Sequence, residues 1–298
     1  MQALLDAIAR ATPRQDACRI FHGRGGLHPG CEHLSLDWYA PVWVLTSFEP
    51  LGDAQLQTVQ AALAQRPEPL HWVYQQRQSG QGRSETRLMA GSVPEPHEVT
   101  EHGARYRVHV LKGQNHGLFL DMACGRQWLR EQARDKRVLN LFAYTCAFSV
   151  AALQGGAQEV VNLDMAAGAL AIGQHNHQIN GLKGARFLSH DLFRSWGKVS
   201  RMGPYDIVVA DPPSYQKGSF VATKDYARVV RRLPQLLAPG GQALLCLNAP
   251  ELDERFLRDL VTTEAPDLQF VRRLDNPPVF ADIDPQRALK VMCWRMPD

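Results

Sequence analysis

In the second half of the chain, short apolar runs alternate with stretches whose apolar residues recur at helical spacing. Residues 138–141 form such a run, of the kind that makes a buried parallel strand. Residues 142–145 read as a turn. Phe148, Val150, Ala151, Ala152 and Leu153 then follow at helical period until Gly155-Gly156 stops them. The alternation continues with a strand at 159–164, a helix at 166–180, a strand at 185–190, a short helix from Asp191 and a strand at 205–211. A helix over 223–238 is expected to kink at Pro234, and Pro239-Gly240-Gly241 to stop the chain sharply before a strand at 242–248. A helix at 251–262 and strands near 268–274 and 289–296 close the set. This pattern predicts an α/β fold with a doubly wound sheet, whose ligand crevice lies at the carboxyl ends of the strands.

Residues 1 to about 100 have a different texture. They suggest a short helix near 4–8, a glycine-rich loop FHGRGGLHPG, and one strand over 38–48 with Pro41 near its start. A helix capped by Asp53 runs to about Gln65. A strand at 70–76, a turn at 79–82 and a returning strand at 86–89 follow. Residues 98–110 alternate in part, with His102-Gly103 as a hairpin turn. The division expected is a small mixed α/β domain over 1–104 and a larger domain over 105–298. The larger one opens with a turn at 114–117 and a helix from about Arg126 to Arg134.

Composition changes this picture little. With 45% apolar and 21% charged residues and a net charge of +3, the chain reads as a soluble globular protein that permits RNA as a partner without demanding it. Six widely spaced cysteines without a C-x-x-C pair suit reduced thiols, and the N-terminus lacks a signal peptide's basic start and apolar middle. No membrane span is expected, and the cytoplasm is the expected compartment. Cys18, His22, His28, Cys31 and His33 cluster without the spacing of a zinc module, so no metal is expected. Arg24, Arg77, Arg83, Arg87, Arg105 and Arg107 suit either RNA phosphates or a solvated surface.

The candidate chemistry lies at strand ends. Asp164 ends the second strand of the alternating series, Asp191 follows the third and Asp211 ends the fourth. A carboxylate after strand two can accept both hydroxyls of a ribose, and one after strand three can accept from an adenine amino group. Aspartates there also cap helices, but three in register with the opening loop favour a nucleoside site. No G-x-G-x-x-G follows the first strand, so the glycines that let a backbone approach a pyrophosphate are missing and adenosine without phosphates is favoured. Asp211-Pro212-Pro213-Ser214-Tyr215 is a stiff turn with no N–H at its two prolines and a flat ring at its end. Such a turn suits a planar nitrogen nucleophile held beside a reactive cofactor.

These residues resemble the class I S-adenosylmethionine methyltransferases. NLFAYTCAFS is similar to that family's cofactor loop, and VVNLDM, SHDLF and DPPSY stand where the family has its ribose, adenine and substrate motifs. QHNHQINGL resembles a helix end of the same subgroup. GQNHGLFLDMACGR is similar to the cofactor-covering hairpin of the large-subunit ribosomal RNA methyltransferases, and LKVMCW to their last strand. The resemblance extends over roughly 35–298. It implies a Rossmann-like sheet of order 3-2-1-4-5-7-6 with the seventh strand antiparallel, preceded by a small α/β domain. It implies S-adenosylmethionine as cofactor, held by Phe119, Arg126, Asn140, Phe142, Ala143, Tyr144, Thr145, Asp164, Met165, Asp191, Leu192 and Asp211. Asp211, Pro212, Pro213, Ser214 and Tyr215 would carry catalysis, with RNA, in particular 23S ribosomal RNA, as partner.

Within that group, cytosine-C5 enzymes need a thiolate, because C5 is a poor nucleophile until C6 has been attacked. Some carry it in a Ser-Cys-Ser run after strand five, where this chain reads Leu247-Asn248-Ala249-Pro250. DPPSY holds no cysteine either. The resemblance extends both to the guanine-N7 half of the K/L-type enzyme and to the I-type cytosine-C5 enzyme; Leu247-Asn248-Ala249-Pro250 is closer to the former, and the upstream domain also fits that half better. Guanine N7 has an in-plane lone pair and needs alignment rather than a general base. Alternatives are another RNA, a protein or a small molecule as methyl acceptor, or a binding protein without turnover. Cys146 replaces the family glycine of the cofactor loop, and DMACGR keeps only Asp121 and Arg126 of its motif.

Overall fold

The computed structural model describes residues 1–12, 14–77, 84–216 and 220–298. Contacts divide the chain into one unit of Met1–Asp121 with Pro277–Pro285 and another of Met122–Asn276 with Gln286–Asp298. Among the described residues no helix is long and apolar enough to cross a membrane.

The first unit contains α1 (Gln2–Arg10), β1 (Cys18–His22), β2 (Leu34–Tyr39), β3 (Val42–Ser47), α2 (Asp53–Ala64), β4 (Trp72–Arg77), β5 (Ser84–Ala90), β6 (His97–Glu101) and β7 (Ala104–Val108). Five strands pair in the order β1-β2-β3-β4-β5. Only β3 and β4 are parallel, and α2 provides the crossover this requires. Leu4 and Ile8 of α1 and Leu56, Val59 and Leu63 of α2 are buried with Leu36, Trp43, Leu45 and Trp72 of the sheet. The single strand expected over 38–48 is two strands. Tyr39 pairs with Val42 across a turn at Ala40-Pro41. Every residue of β2 and β3 is buried, so no alternation marked the reversal. Phe21 and His22, read as loop, belong to β1. Asp53 opens α2 without capping it; Gly52 is the cap, and its N–H donates to Gln55 Oε1 at 2.9 Å. His102 and Gly103 take φ of 49° and 78°, the left-handed pair of a two-residue hairpin turn. The turn expected at 79–82 lies outside the described residues. The boundary expected at 104/105 falls inside β7.

The second unit contains α3 (Ala123–Gln132), β8 (Arg137–Leu141), α4 (Ala147–Gln154), β9 (Glu159–Asp164), α5 (Ala167–Ile179), β10 (Ala185–Ser189), α6 (Leu192–Met202), β11 (Tyr205–Ala210), β12 (Tyr215–Gln216), β13 (Phe220–Val221), α7 (Ala222–Val230), α8 (Leu233–Leu236), β14 (Leu237–Leu247), α9 (Glu254–Glu264), β15 (Gln269–Leu274) and β16 (Lys290–Arg295). Its seven-stranded sheet has the order β10-β9-β8-β11-β14-β16-β15, which is 3-2-1-4-5-7-6 in sequence numbering. β16 runs antiparallel to both neighbours. Alternate residues of the central strands face opposite layers. Val138, Ile207 and Val209 are buried with α3 and α4, whereas Leu139, Val208 and Ala210 are buried with α6, α7, α8 and α9. Two sequence expectations change here. Pro234 does not kink one helix but sits in the first turn of α8, after α7 has ended, where its missing N–H costs nothing. Pro239-Gly240-Gly241 does not precede the strand but bulges within it. Tyr205 pairs with Leu237 and Ile207 with Gln242, and Gly240 supplies a φ of 67°.

Candidate active site

The carboxyl edge of this sheet carries four loops in sequence. The first follows β8. Phe142, Tyr144 and Cys146 all take positive φ, at 57°, 47° and 60°, although none is glycine. Such a backbone persists only where its surroundings fix it. Here the Ala143 N–H donates to Leu163 O at 3.1 Å, the Tyr144 N–H to Asp164 Oδ2 at 2.8 Å and the Cys146 N–H to Ala143 O at 2.7 Å. Asn176 of α5 donates from Nδ2 to Thr145 O at 3.0 Å. Cys146 is fully buried at the start of α4, and its Sγ fills the space beside Gly173, where a Cβ would lie only 2.5 Å from it. Burial, with the Asp164 carboxylate nearby, pushes its thiol well above the ordinary range.

Asp164 joins the first loop to the second. While Oδ2 accepts from Tyr144, Oδ1 accepts from the Ala166 N–H at 2.8 Å. The carboxylate is half-buried and Met165 beside it is 53% exposed. Asp191 caps α6, accepting from the Phe193 N–H at 2.8 Å, with the Arg194 Nε 3.5 Å from its other oxygen. Its capping role is therefore realised, and Leu192 behind it is buried.

Asp211 follows β11, with its N–H 3.5 Å from Leu141 O at the end of the neighbouring strand. Pro212 is buried, Pro213 and Ser214 are half-buried, and Tyr215 is 68% exposed. Ser214 O accepts from the Ala222 N–H at 3.1 Å, and Tyr215 pairs with Val221 across the β12–β13 hairpin. Phe220 anchors that hairpin in the core. Its ring meets Phe142 edge-on at 5.2 Å and Tyr226 at 5.9 Å. The DPPSY segment and the loop after β8 are thus built on one aromatic cluster.

Two predicted residues lie elsewhere. Asn140 is 1% exposed, inside the sheet, and its amide donates to Asn162 Oδ1 at 2.9 Å. Phe119 belongs to the first unit, where it is 40% exposed. Arg126 lies on α3 of the second unit and is buried. Several contributors escaped the sequence reading. Asn162 Nδ2 donates to Ser149 Oγ at 3.0 Å, Ser149 Oγ bonds His177 Nε2 at 2.8 Å, and His177 Nδ1 bonds Gly173 O at 2.7 Å. This buried chain supports the first two loops from below. Asparagines at the middle of two apolar strands were the available signal. Tyr226 of α7 donates to Cys246 O at 2.9 Å, with Ala210 O 3.4 Å away, tying the ends of β14 and β11. Burial first, then the neighbouring Cys246 and Asp211, holds its hydroxyl protonated.

Which ligand this edge takes is decided by the family. A model of the S-adenosylmethionine-dependent methyltransferases matches residues 18–295. The chain belongs to that family. The chain is 34% identical over 190 residues to ribosomal RNA large subunit methyltransferase I of Aeromonas salmonicida, and 35% identical over 191 residues to that of Aeromonas hydrophila. Each match covers 61% of this chain and 48% of the relative, so the chain spans about half the length of the curated relatives it matches. A crystal structure of a methyltransferase candidate complexed with SAH superimposes with a TM-score of 0.84 at 25% identity, over 99% of this chain and 79% of that one. A Streptococcus mutans structure described as a SAM-dependent methyltransferase candidate gives 0.85 at 25%, over 99% and 78%.

The residues present fit S-adenosylmethionine. The Ala143, Tyr144 and Cys146 N–H groups are all spent inside the protein, which leaves them no donor for a pyrophosphate. The Asp164 carboxylate, each oxygen holding one backbone N–H, keeps further lone pairs for the two hydroxyls of a ribose and would repel a phosphate.

Proposed function

We propose that this methyltransferase modifies a base nitrogen of large-subunit ribosomal RNA, with guanine N7 favoured. Bound S-adenosylmethionine supplies an electrophilic methyl group. The chain's own residues then have to hold a flat base in line with it and exclude water. The observation that carries the proposal is the DPPSY turn: an exposed Tyr215 ring at the edge of a segment whose prolines and aromatic anchor fix it, with no thiol in it. A cytosine-C5 reaction needs a cysteine nucleophile at that edge. Cys146, Cys246 and Cys293 are buried in the second unit, and burial pushes the Cys293 thiol up to about 11. Cys124 lies on α3, away from β11 and β14 in sequence. The RNA reading draws on the relatives' names; the choice of nitrogen draws on the cysteines.

In this reading Asp164 and Asp191 hold the nucleoside, residues 142–145 shape its floor, and Tyr215 stacks on the acceptor base. Arg126, buried on α3, lies in the segment that resembles the family's cofactor-covering motif. The enzyme acts in the cytoplasm, needs no metal, and carries its small α/β region, 1–104, as an RNA-facing domain. The test is transfer from methyl-labelled S-adenosylmethionine to deproteinised rRNA of a strain lacking the gene, read by nucleoside mass spectrometry. Labelled 7-methylguanosine is expected. Labelled 5-methylcytidine would overturn the nitrogen choice, and no labelled nucleoside would overturn the RNA reading.

A further inference from the structure

The glycine-rich stretch HGRGG belongs to the first unit, outside the loops that follow β8, β9, β10 and β11, and it is tightly built. It forms a 3-10 turn, Gly23–Gly25, directly after β1. A Cβ on Gly23 would lie 1.7 Å from Cys31 O, and one on Gly25 would lie 2.1 Å from Ala281 O. Gly26 takes a φ of 74°. The backbone is therefore pressed on two sides where no side chain fits, and the side chain this turn presents is that of Arg24.

Arg24 is exposed and places its guanidinium 4.3 Å from the centre of the Phe48 ring. Arg77, at the end of β4, approaches the same ring at 5.9 Å. Arg77 is oriented by bonds to Gln75 Oε1, at 2.7 Å, and to Gln114 O. Among the described residues, neither guanidinium has a carboxylate within ion-pair distance. Arg19 differs. It is paired with Asp37 and also contacts His22 Nδ1, so its charge is answered. Two like charges gathered on one phenyl ring, without a pairing carboxylate, repel each other until an anion joins them. An exposed guanidinium over a ring can also meet a base.

We propose that Arg24 and Arg77, spaced by Phe48, form a binding site for a phosphodiester of the RNA substrate. Arg24 makes the outer contact and Arg77 the inner one. This rests on the RNA reading above. The site is a positioning contact that sets affinity for the RNA and leaves methyl transfer itself unchanged.

The test uses the full chain and two probes, deproteinised large-subunit rRNA and a mixed-sequence single-stranded RNA 12-mer. Arg24→Gln is expected to weaken binding of the 12-mer about tenfold near 0.1 M salt and to reduce the slope of log K against log salt by about 0.7. Arg24→Lys should keep the slope, since it keeps the charge. With rRNA as methyl acceptor, Arg24→Gln should raise KM for RNA at constant kcat, with unchanged affinity for S-adenosylmethionine and an unchanged melting temperature. Wild-type affinity and salt slope in a folded Arg24→Gln variant would overturn the site alone. A wild-type chain that binds neither RNA would overturn the RNA reading beneath it.

Discussion

At the scale of the residue, the feature that stands out is Cys146, a residue other than glycine held at a φ of 60° in the loop after β8. A left-handed backbone at a residue with a Cβ costs about 1–2 kcal/mol. The chain accommodates the side chain by having Gly173 opposite it. A methyl group there would meet Sγ at 2.5 Å and Cβ at 3.0 Å. Gly173→Ala is therefore expected to destabilise the wild type by about 1–3 kcal/mol. In a Cys146→Gly background the same change should cost far less, a coupling of about 1–2 kcal/mol in a denaturant double-mutant cycle. Additive effects would show that the two positions do not share the space. The sequence marked Cys146 as a departure, but its partner was illegible, because a glycine inside α5 reads only as a weak helix former. Asp164 was legible because it is one of three carboxylates at successive strand ends, although any one of them alone could have been a helix cap.

At the scale of the element, the carboxyl edge that bears DPPSY depends on β11 and β14 ending in step. Tyr226 arranges this from α7 by reaching both strand-end carbonyls. Tyr226→Phe leaves the Cys246 carbonyl without that donor and is expected to cost about 1–3 kcal/mol of stability. Methyl transfer should fall through kcat, with little change in affinity for S-adenosylmethionine. A loss of affinity equal to the loss of kcat would argue that Tyr226 supports the cofactor rather than the DPPSY segment. The elements of the second unit were legible because apolar runs and helical periods alternate at regular length. Those of the first unit were less so. In β2 and β3 burial on both faces removed the period-two signal, and only Pro41 hinted at the turn between them.

At the scale of the whole molecule, half-buried His22 and buried His116 of the first unit couple stability to pH. Burial, then Arg19 and Arg24, holds His22 down to about 4; burial, then Arg77, holds His116 down to about 3. In the unfolded chain each takes up a proton near 6.5. Between these values the unfolded state binds more protons, so this stability is complete above about 6.5 and is lost as pH falls from there through about 4 for His22 and about 3 for His116. The melting temperature should drop over that window, and His116→Gln should shallow the drop. An unchanged slope in that variant would contradict the assignment. The family and the sheet order were legible in the sequence, since motifs at successive strand ends carried both. The association of 277–285 with the first unit was not, because it depends on a contact far along the chain.

The central claim is that the Asp164 carboxylate, positioned by the Tyr144 and Ala166 amides, holds the nucleoside of S-adenosylmethionine. Calorimetric titration of S-adenosylmethionine into wild type and Asp164→Ala measures this directly. A loss of about 1–3 kcal/mol in a variant that remains folded is predicted. Wild-type affinity in that variant would contradict the account.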